Sequence, residues 1–185
     1  MTARPPPAGD RARVSVLVAV PREVAFRVFT EEIDQWWRRG LKHRVSGKGR
    51  GIMRLEPGVG GRLFEEIESA AGARVVETGR VTEWDPPARF VLEWRNVNFS
   101  KTEKTYVEVA LDESPSGTLV TVTHSGWSAI RPDHPARHGL EVPAFIRMNG
   151  MWWGEVLTSF REHAEAAAAS TRRLARDALG LGEDA

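Results

Sequence analysis

Apolar and polar residues alternate through most of the middle of the chain, as they do in strands with one buried face. In residues 89–95, for example, Phe90, Leu92 and Trp94 fall on one face. Turn signals separate these runs, such as PGVGG at 57–61 and DPP at 85–87. The pattern predicts about six to seven strands, mostly at hairpin spacing, which favours an antiparallel meander. The predicted strands are residues 13–20, 52–56, 62–69, 74–84, 89–95, 103–111 and 118–125.

Helical periodicity replaces this alternation after the first strand and near the C-terminus. Residues 22–30 follow Pro21 with apolar side chains at helical spacing, and a second short helix is predicted at 31–37. From residue 141 to about residue 168, apolar residues recur every three or four positions and form one broad stripe. Gly150 and Gly154 interrupt this long helix at a cost of about 1 kcal/mol each relative to alanine. They indicate a close approach, either by sheet backbone or by a ligand.

These elements predict an α+β fold, in which a curved antiparallel sheet surrounds one long C-terminal helix. A sheet with one apolar face needs a cover, and only the long helix offers enough apolar surface. A curled sheet seldom closes tightly on a single helix, so we expect a cavity between them, unless tryptophans fill it. The domain is expected to span residues 13–168. Residues 1–12 are expected to be a disordered lead, and residues 169–185 a helical extension that frays.

Composition excludes several classes of protein. The chain has no cysteine, which excludes disulfides, thiolate catalysis and cysteine-ligated metals. Its net charge of +1 provides no long-range field for a nucleic acid or an anionic membrane. The chain has no apolar run of the roughly 20 residues that a membrane span needs, and its first residues do not resemble a secretory signal. A soluble protein in the cytoplasm is expected.

Motifs for catalysis, cofactors and metals are not evident. GKGRG at 47–51 lacks the spacing of a phosphate-binding loop, and there is no GxSxG nucleophile motif. His134 and His138 have a spacing that binds zinc on a helix, but Pro135 favours a loop there and no third ligand is apparent. The sequence therefore predicts no cofactor, no metal and no assignable catalytic residue.

Candidate ligand-contacting residues follow from polar and aromatic side chains within the apolar pattern. Asn149 lies in the middle of the apolar stripe of the long helix, where its amide needs a partner, either within the core or on a ligand. His124 alternates with Val120 and Val122, which points it inward. The seven tryptophans are either core or pocket lining. The predicted pocket residues are Trp36, Phe64, Trp94, His124, Asn149, Trp152 and Trp153.

Several stretches together resemble a known family. They are VAVPREVAFRVFTEEIDQWW (18–37), EPGVGGRLFEE (56–66), GRVTEWDPPARFVLEW (79–94), LVTVTHSGW (119–127) and GMWWGEVLTSFREH (150–163). Over about residues 13–165 the chain is similar to the START-like, helix-grip (SRPBCC) superfamily. Within it, the chain resembles the branch named after the C-terminal domain of the activator of heat-shock-protein-90 ATPase. The resemblance implies a helix-grip fold, as in START and Bet v 1 domains.

The resemblance does not imply one activity. Superfamily members include lipid and sterol carriers, hormone receptors, polyketide cyclases and hydroxylase subunits, and the branch shares no catalytic motif. The first hypothesis is a module that binds a hydrophobic or aromatic small molecule. The alternatives are an interaction module for a chaperone or regulator, and an aromatase- or cyclase-like enzyme in which His124 or Asn149 polarises the substrate. A homodimer is left open.

Overall fold

Seven strands form one antiparallel sheet in the computed structural model, which describes residues 9–47, 49, 51–69 and 72–179. The strands are β1 Arg11–Val18, β2 Gly51–Leu55, β3 Arg62–Ser69, β4 Gly72–Asp85, β5 Arg89–Trp94, β6 Thr105–Ser114 and β7 Gly117–Ser125. The helices are α1 Arg22–Glu31, α2 Ile33–Trp36 and α3 Val142–Ala178. Most of the expected N-terminal lead, half of the expected turn at 70–73 and the last six residues lie outside the described part.

The order of the strands is β1-β7-β6-β5-β4-β3-β2, so the first strand pairs with the last. Strands β2 to β7 form the predicted meander, and β1 extends it as an edge strand that pairs with β7, with Val14 opposite Val122. The register shifts between Leu63 and Phe64 in β3, and again between Val81 and Glu83 in β4. Such irregularities increase the local twist of a sheet, which helps it to curl around a helix.

Helix α3 lies against the concave face of the sheet and supplies the other half of the core. Its buried residues recur every three or four positions, as the apolar stripe predicts. They are Phe145, Asn149, Trp153, Val156, Leu157, Phe160 and Ala164. Alternate residues of β6 and β7, including Val107, Val109, Val120 and Val122, are buried opposite them. The helix-grip expectation is thus confirmed.

The two short helices close one end of the space between the sheet and α3 with aromatic rings. Phe29 of α1 lies 4.7 Å from the ring of Trp36 and 5.0 Å from that of Phe160 on α3. The Trp36 indole N–H donates to the carbonyl of Val28 at 3.0 Å. Since its one polar atom is satisfied and its ring is 1% exposed, Trp36 belongs to the core of this end.

Neither glycine of α3 makes the close approach that the sequence predicts. A Cβ on Gly154 would have no neighbour within 4 Å, and one on Gly150 would reach only Val14 Cγ2 at 4.0 Å. The interpretation of sheet backbone packed against these glycines is therefore wrong, and a ligand at this place stays a prediction.

Replacing Gly154 by alanine is consequently expected to stabilise the fold. Gly154→Ala removes a helix-interior glycine without a clash, and it should raise the free energy of unfolding by about 1 kcal/mol. Gly61→Ala is the contrasting variant, because its Cβ would lie 2.1 Å from the carbonyl oxygen of Glu56 and should destabilise the fold. Urea denaturation measures both changes, and an unchanged or lower stability in Gly154→Ala would refute this account of the helix.

Candidate functional site

A cavity of about 460 Å³ lies between the first half of α3, the ends of β5 and β7, and two connecting segments. One segment joins α2 to β2, and the other joins β7 to α3 through short 3-10 turns at Trp127–Ala129 and Pro135–Arg137. The wall combines aromatic rings with aliphatic and polar side chains. Its inner part contains Trp94, His124, Trp127, Phe145, Asn149 and Trp152.

A second depression, of about 500 Å³, lies at the edge formed by β2, β3 and β4. Its lining combines the charged residues Arg39, Glu66, Glu68 and Arg74 with aliphatic residues of the strands, and it contains no aromatic ring. The cavity beside α3 has the aromatic lining and convergent polar groups that small-molecule sites usually show, and it is the candidate site.

His124 is the hub of the buried polar groups beside this cavity. Its Nδ1 accepts the indole N–H of Trp153 at 3.1 Å. Because an indole nitrogen only donates, Nδ1 carries no proton, and the neutral ring holds its proton on Nε2. Nε2–H then donates to Thr105 Oγ1 at 2.9 Å, and the Thr105 hydroxyl donates to the carbonyl of Trp94 at 3.3 Å. This series of hydrogen bonds fixes both the tautomer and the orientation of the His124 ring.

Burial agrees with this assignment. His124 is 2% exposed, and the loss of hydration lowers its pKa to about 3. The imidazole is therefore neutral at physiological pH, with both nitrogens engaged by protein groups. Such a ring is a rigid part of the wall and is not free to take up a proton from a substrate.

Asn149 contacts the same imidazole more weakly. Its amide Nδ2 lies 3.4 Å from His124 Nδ1, whose single lone pair already accepts from Trp153. The other amide atom, Oδ1, is buried and has no hydrogen-bond partner among the described residues. The indole nitrogen of Trp127, which also lines the cavity, is likewise buried without a described partner.

The segment between α2 and β2 forms the outer wall and is fastened to α3. Lys42 Nζ binds the Glu155 carboxylate at 2.7 Å, and the Trp152 indole N–H donates to the carbonyl of Lys42 at 3.0 Å. The His43 ring stacks on Trp152 with centroids 5.5 Å apart. At the mouth, Leu41 and Met151 expose 88% and 67% of their surface, which leaves an apolar rim around the opening.

Two buried charged side chains hold that segment in shape. The guanidinium of Arg44 is fully buried; it pairs with Asp34 and donates to the carbonyl of Trp37 at 2.8 Å. The carboxylate of Glu65 accepts the backbone N–H of Val45 at 2.8 Å and that of Ser46 at 3.2 Å. Because these bonds satisfy buried polar groups, they fix the path of residues 37–47, which form turns.

Four of the seven predicted pocket residues lie on the cavity wall: Trp94, His124, Asn149 and Trp152. Trp153 lies behind the wall and contacts His124. Trp36 lies in the core, where its ring packs between Phe29 of α1 and Phe160 of α3. Phe64 lies on β3, and the guanidinium carbon of Arg62 is 4.7 Å from the centre of the Phe64 ring.

Sequence reasoning missed Trp127, Phe145 and the rim residue Leu41 as pocket residues. Phe145 stands in the apolar stripe one turn before Asn149, which is a signal that could have identified it. Trp127 lies in a short 3-10 turn, where no periodicity reports which way a side chain points. His134 and His138 do not share a site, since His134 is buried while His138 is at the cavity rim. No three potential metal ligands cluster within the described ranges.

The sheet, the gripped helix and the cavity between them define a helix-grip protein. Residues 19–163 match the family model described as Activator of Hsp90 ATPase homolog 1-like protein, and the chain belongs to this family. The resemblance predicted from the sequence is confirmed. A search of curated proteins finds no significant match.

Solved structures share the fold at low sequence identity. A protein of unknown function from Staphylococcus aureus superposes with a TM-score of 0.61 at 11% identity, over 86% of this chain and 95% of that one. A protein from Nitrosomonas europaea gives 0.58 at 16% identity, over 89% and 99%. An AHSA1-like protein from Aeromonas hydrophila gives 0.56 at 18% identity, over 85% and 94%. At these identities the likeness concerns the fold alone.

None of the described helices is both long enough and apolar enough to cross a membrane.

Proposed function

We propose that this protein binds a hydrophobic or aromatic small molecule in the cavity beside α3. The observation that carries the proposal is the combination of an aromatic wall with two buried polar atoms that no described residue satisfies. The cavity of about 460 Å³ is within the size range of sites for small organic ligands, which is about 300–1,000 Å³. Leu41 and Met151 at the rim offer exposed apolar surface to an entering apolar molecule, beside the paired charges of Lys42 and Glu155.

A binding role is favoured over catalysis by the state of His124. Both of its ring nitrogens are engaged by Trp153 and Thr105, and burial lowers its pKa to about 3. The aromatase- or cyclase-like alternative needs a residue that exchanges a proton or polarises a carbonyl, and this histidine is poorly suited to that task. The chaperone or regulator partner, the homodimer and the cytoplasmic location stay predictions.

Filling the cavity tests the proposal. Ala136 lines it, and Ala136→Phe should place a ring inside the binding space. Ala169→Phe is the matched control, because Ala169 is exposed on the far part of α3. The probe is N-phenyl-1-naphthylamine, an uncharged aromatic dye whose fluorescence rises in apolar surroundings.

We expect saturable binding of one dye per chain to the wild type and to Ala169→Phe, and at least tenfold weaker binding to Ala136→Phe. Circular dichroism and thermal unfolding establish that both variants are folded. Equal binding to Ala136→Phe and the wild type would place the dye elsewhere and overturn the proposal, as would the absence of saturable binding to the wild type.

A further inference from the structure

The two unsatisfied polar atoms of the cavity wall are of opposite kinds. Asn149 Oδ1 is an acceptor on a residue that is 7% exposed, and Trp127 Nε1–H is a donor on a residue that is 3% exposed. Buried polar groups in folded proteins nearly always have partners, so each of these atoms calls for an explanation. Both residues line the same cavity. The two atoms themselves are buried from solvent, so a molecule in the cavity reaches them after a small shift of the surrounding side chains.

The direction of the Asn149 amide follows from the tautomer of His124. Because Trp153 donates to His124 Nδ1, that nitrogen is an acceptor and faces a donor on Asn149. The amide NH₂ therefore lies toward the imidazole, and Oδ1 is on the opposite branch of the amide. Reversing the amide would bring its oxygen against the lone pair of Nδ1. The position thus presents an acceptor that the protein itself does not use.

Charge on the wall indicates the charge of the ligand. Lys42 and Glu155 stand at the rim and bind each other at 2.7 Å. The inner wall consists of aromatic rings, the Met148 side chain and the amides of Asn96 and Asn149, and His124 is neutral there. A charged group brought into this space would lose its hydration without gaining a counter-charge from the inner wall. The aromatic rings instead favour a flat, uncharged ring system.

We propose that the cavity selects an uncharged aromatic ring compound with one hydrogen-bond acceptor for Trp127 Nε1–H and one donor for Asn149 Oδ1. Aromatic lactams are the simplest class with both groups. The inference rests on the proposed binding function and specifies its ligand chemistry. A site with buried polar groups discriminates strongly against an analogue that leaves those groups unpaired.

Four bicyclic compounds of similar shape test separately what the ligand's donor and its acceptor contribute to binding. 2-Quinolone carries an N–H donor and a carbonyl acceptor, and 1-methyl-2-quinolone keeps only the acceptor. Naphthalene carries neither, and 1-methylnaphthalene controls for the size of the methyl group. Isothermal titration calorimetry of the full chain with each compound gives the dissociation constants.

We expect 2-quinolone to bind the wild type at least tenfold more tightly than naphthalene, and 1-methyl-2-quinolone to bind more tightly than 1-methylnaphthalene. Asn149→Leu keeps the side-chain size and removes the acceptor. In the wild type, the ratio of the dissociation constants of 1-methylnaphthalene and naphthalene measures the effect of the methyl group alone. In Asn149→Leu, the ratio for 1-methyl-2-quinolone and 2-quinolone should fall to within about threefold of that value. Trp127→Phe keeps an aromatic ring and removes the donor, and it should abolish the advantage of 1-methyl-2-quinolone over 1-methylnaphthalene.

The outcomes distinguish this inference from the proposed function. If naphthalene binds the wild type as tightly as 2-quinolone, the polar pair does not select the ligand, and the inference fails while the cavity remains a binding site. The same holds if none of the four compounds binds and N-phenyl-1-naphthylamine still does. If that dye also fails to bind, the proposed function fails, and this inference fails with it. The wild-type series decides the matter even if a variant does not fold.

Discussion

Acidification below pH 6.5 is expected to destabilise this protein before its carboxylates titrate, because His124 is buried in its neutral form. The folded pKa is about 3, against an ordinary value of 6.5 in the unfolded chain. Between these values the unfolded state binds a proton that the folded state does not, so stability rises with pH. The contribution is fully present above pH 6.5 and is lost as the pH falls toward 3. The slope is about 1.4 kcal/mol per pH unit for this one group.

Urea denaturation at pH 7.5, 6.0 and 5.0 measures this slope, and two histidine variants assign it. His124→Asn keeps an acceptor for the Trp153 indole but does not titrate, so the slope between pH 6 and 5 should fall by about 1 kcal/mol per pH unit. Burial and the charges of Lys42 and Arg38 also lower the pKa of His43, which therefore contributes in the same direction. His43→Gln should retain most of the slope. An unchanged slope in His124→Asn would contradict the buried neutral imidazole.

Replacing Arg44 by leucine is expected to lower the free energy of unfolding by about 3 kcal/mol, because it leaves buried carbonyls and the half-buried Asp34 carboxylate without their donor. The guanidinium is fully buried, and besides Asp34 it serves the carbonyls of Trp37 and Gly51. Burial alone would raise the pKa of Asp34, but hydrogen bonds from Arg44 and from the Met53 N–H outweigh it and lower that pKa. Arg44→Leu removes the bonds that Arg44 donates and releases the outer wall of the cavity.

Chemical denaturation and dye binding measure the two consequences together. Arg44→Leu should bind N-phenyl-1-naphthylamine more weakly as well as unfold more easily. Arg44→Lys should be intermediate between the wild type and Arg44→Leu in stability and in dye binding, because an ammonium group cannot make all the hydrogen bonds of a planar guanidinium. Arg54→Leu is the control: Arg54 pairs with Glu66 on the exposed surface, and its loss should leave the unfolding midpoint and dye binding nearly unchanged. If Arg44→Leu behaved like Arg54→Leu, Arg44 would not hold the segment.

The fold followed from the sequence because periodicity reports burial directly. The third strand was predicted with its observed bounds, Arg62–Ser69. The first was predicted at residues 13–20 but is observed at Arg11–Val18, since its limits depend on its partner strand. Val18 pairs with Thr118 where β7 begins, and Arg11 pairs with Ser125 where β7 ends. The sequence pattern of β1 alone does not contain this register.

The site could be predicted only in part. Asn149 and His124 stood out because each is a polar residue in an apolar pattern, and both lie on the cavity wall. Trp152 and Trp153 are adjacent on one helix, and the pattern does not tell which of them reaches the opening. Trp127 follows Gly126, whose φ of 95° starts an irregular turn outside any periodic element. Whether a buried polar atom has a hydrogen-bond partner depends on the distances between elements, and the spacing of residues in the sequence does not specify these distances.

The seven tryptophans offer the most direct test of the cavity as a ligand site. Each indole N–H gives one cross-peak in a ¹H–¹⁵N spectrum, and seven Trp→Phe variants assign them. On titration with N-phenyl-1-naphthylamine, we expect large shifts for Trp94, Trp127 and Trp152, which line the cavity. Trp84 packs against Phe26 at 5.2 Å on another part of the core and should not shift. A shift of Trp84 with the cavity tryptophans unmoved, or no shift at all at saturating dye, would contradict the account.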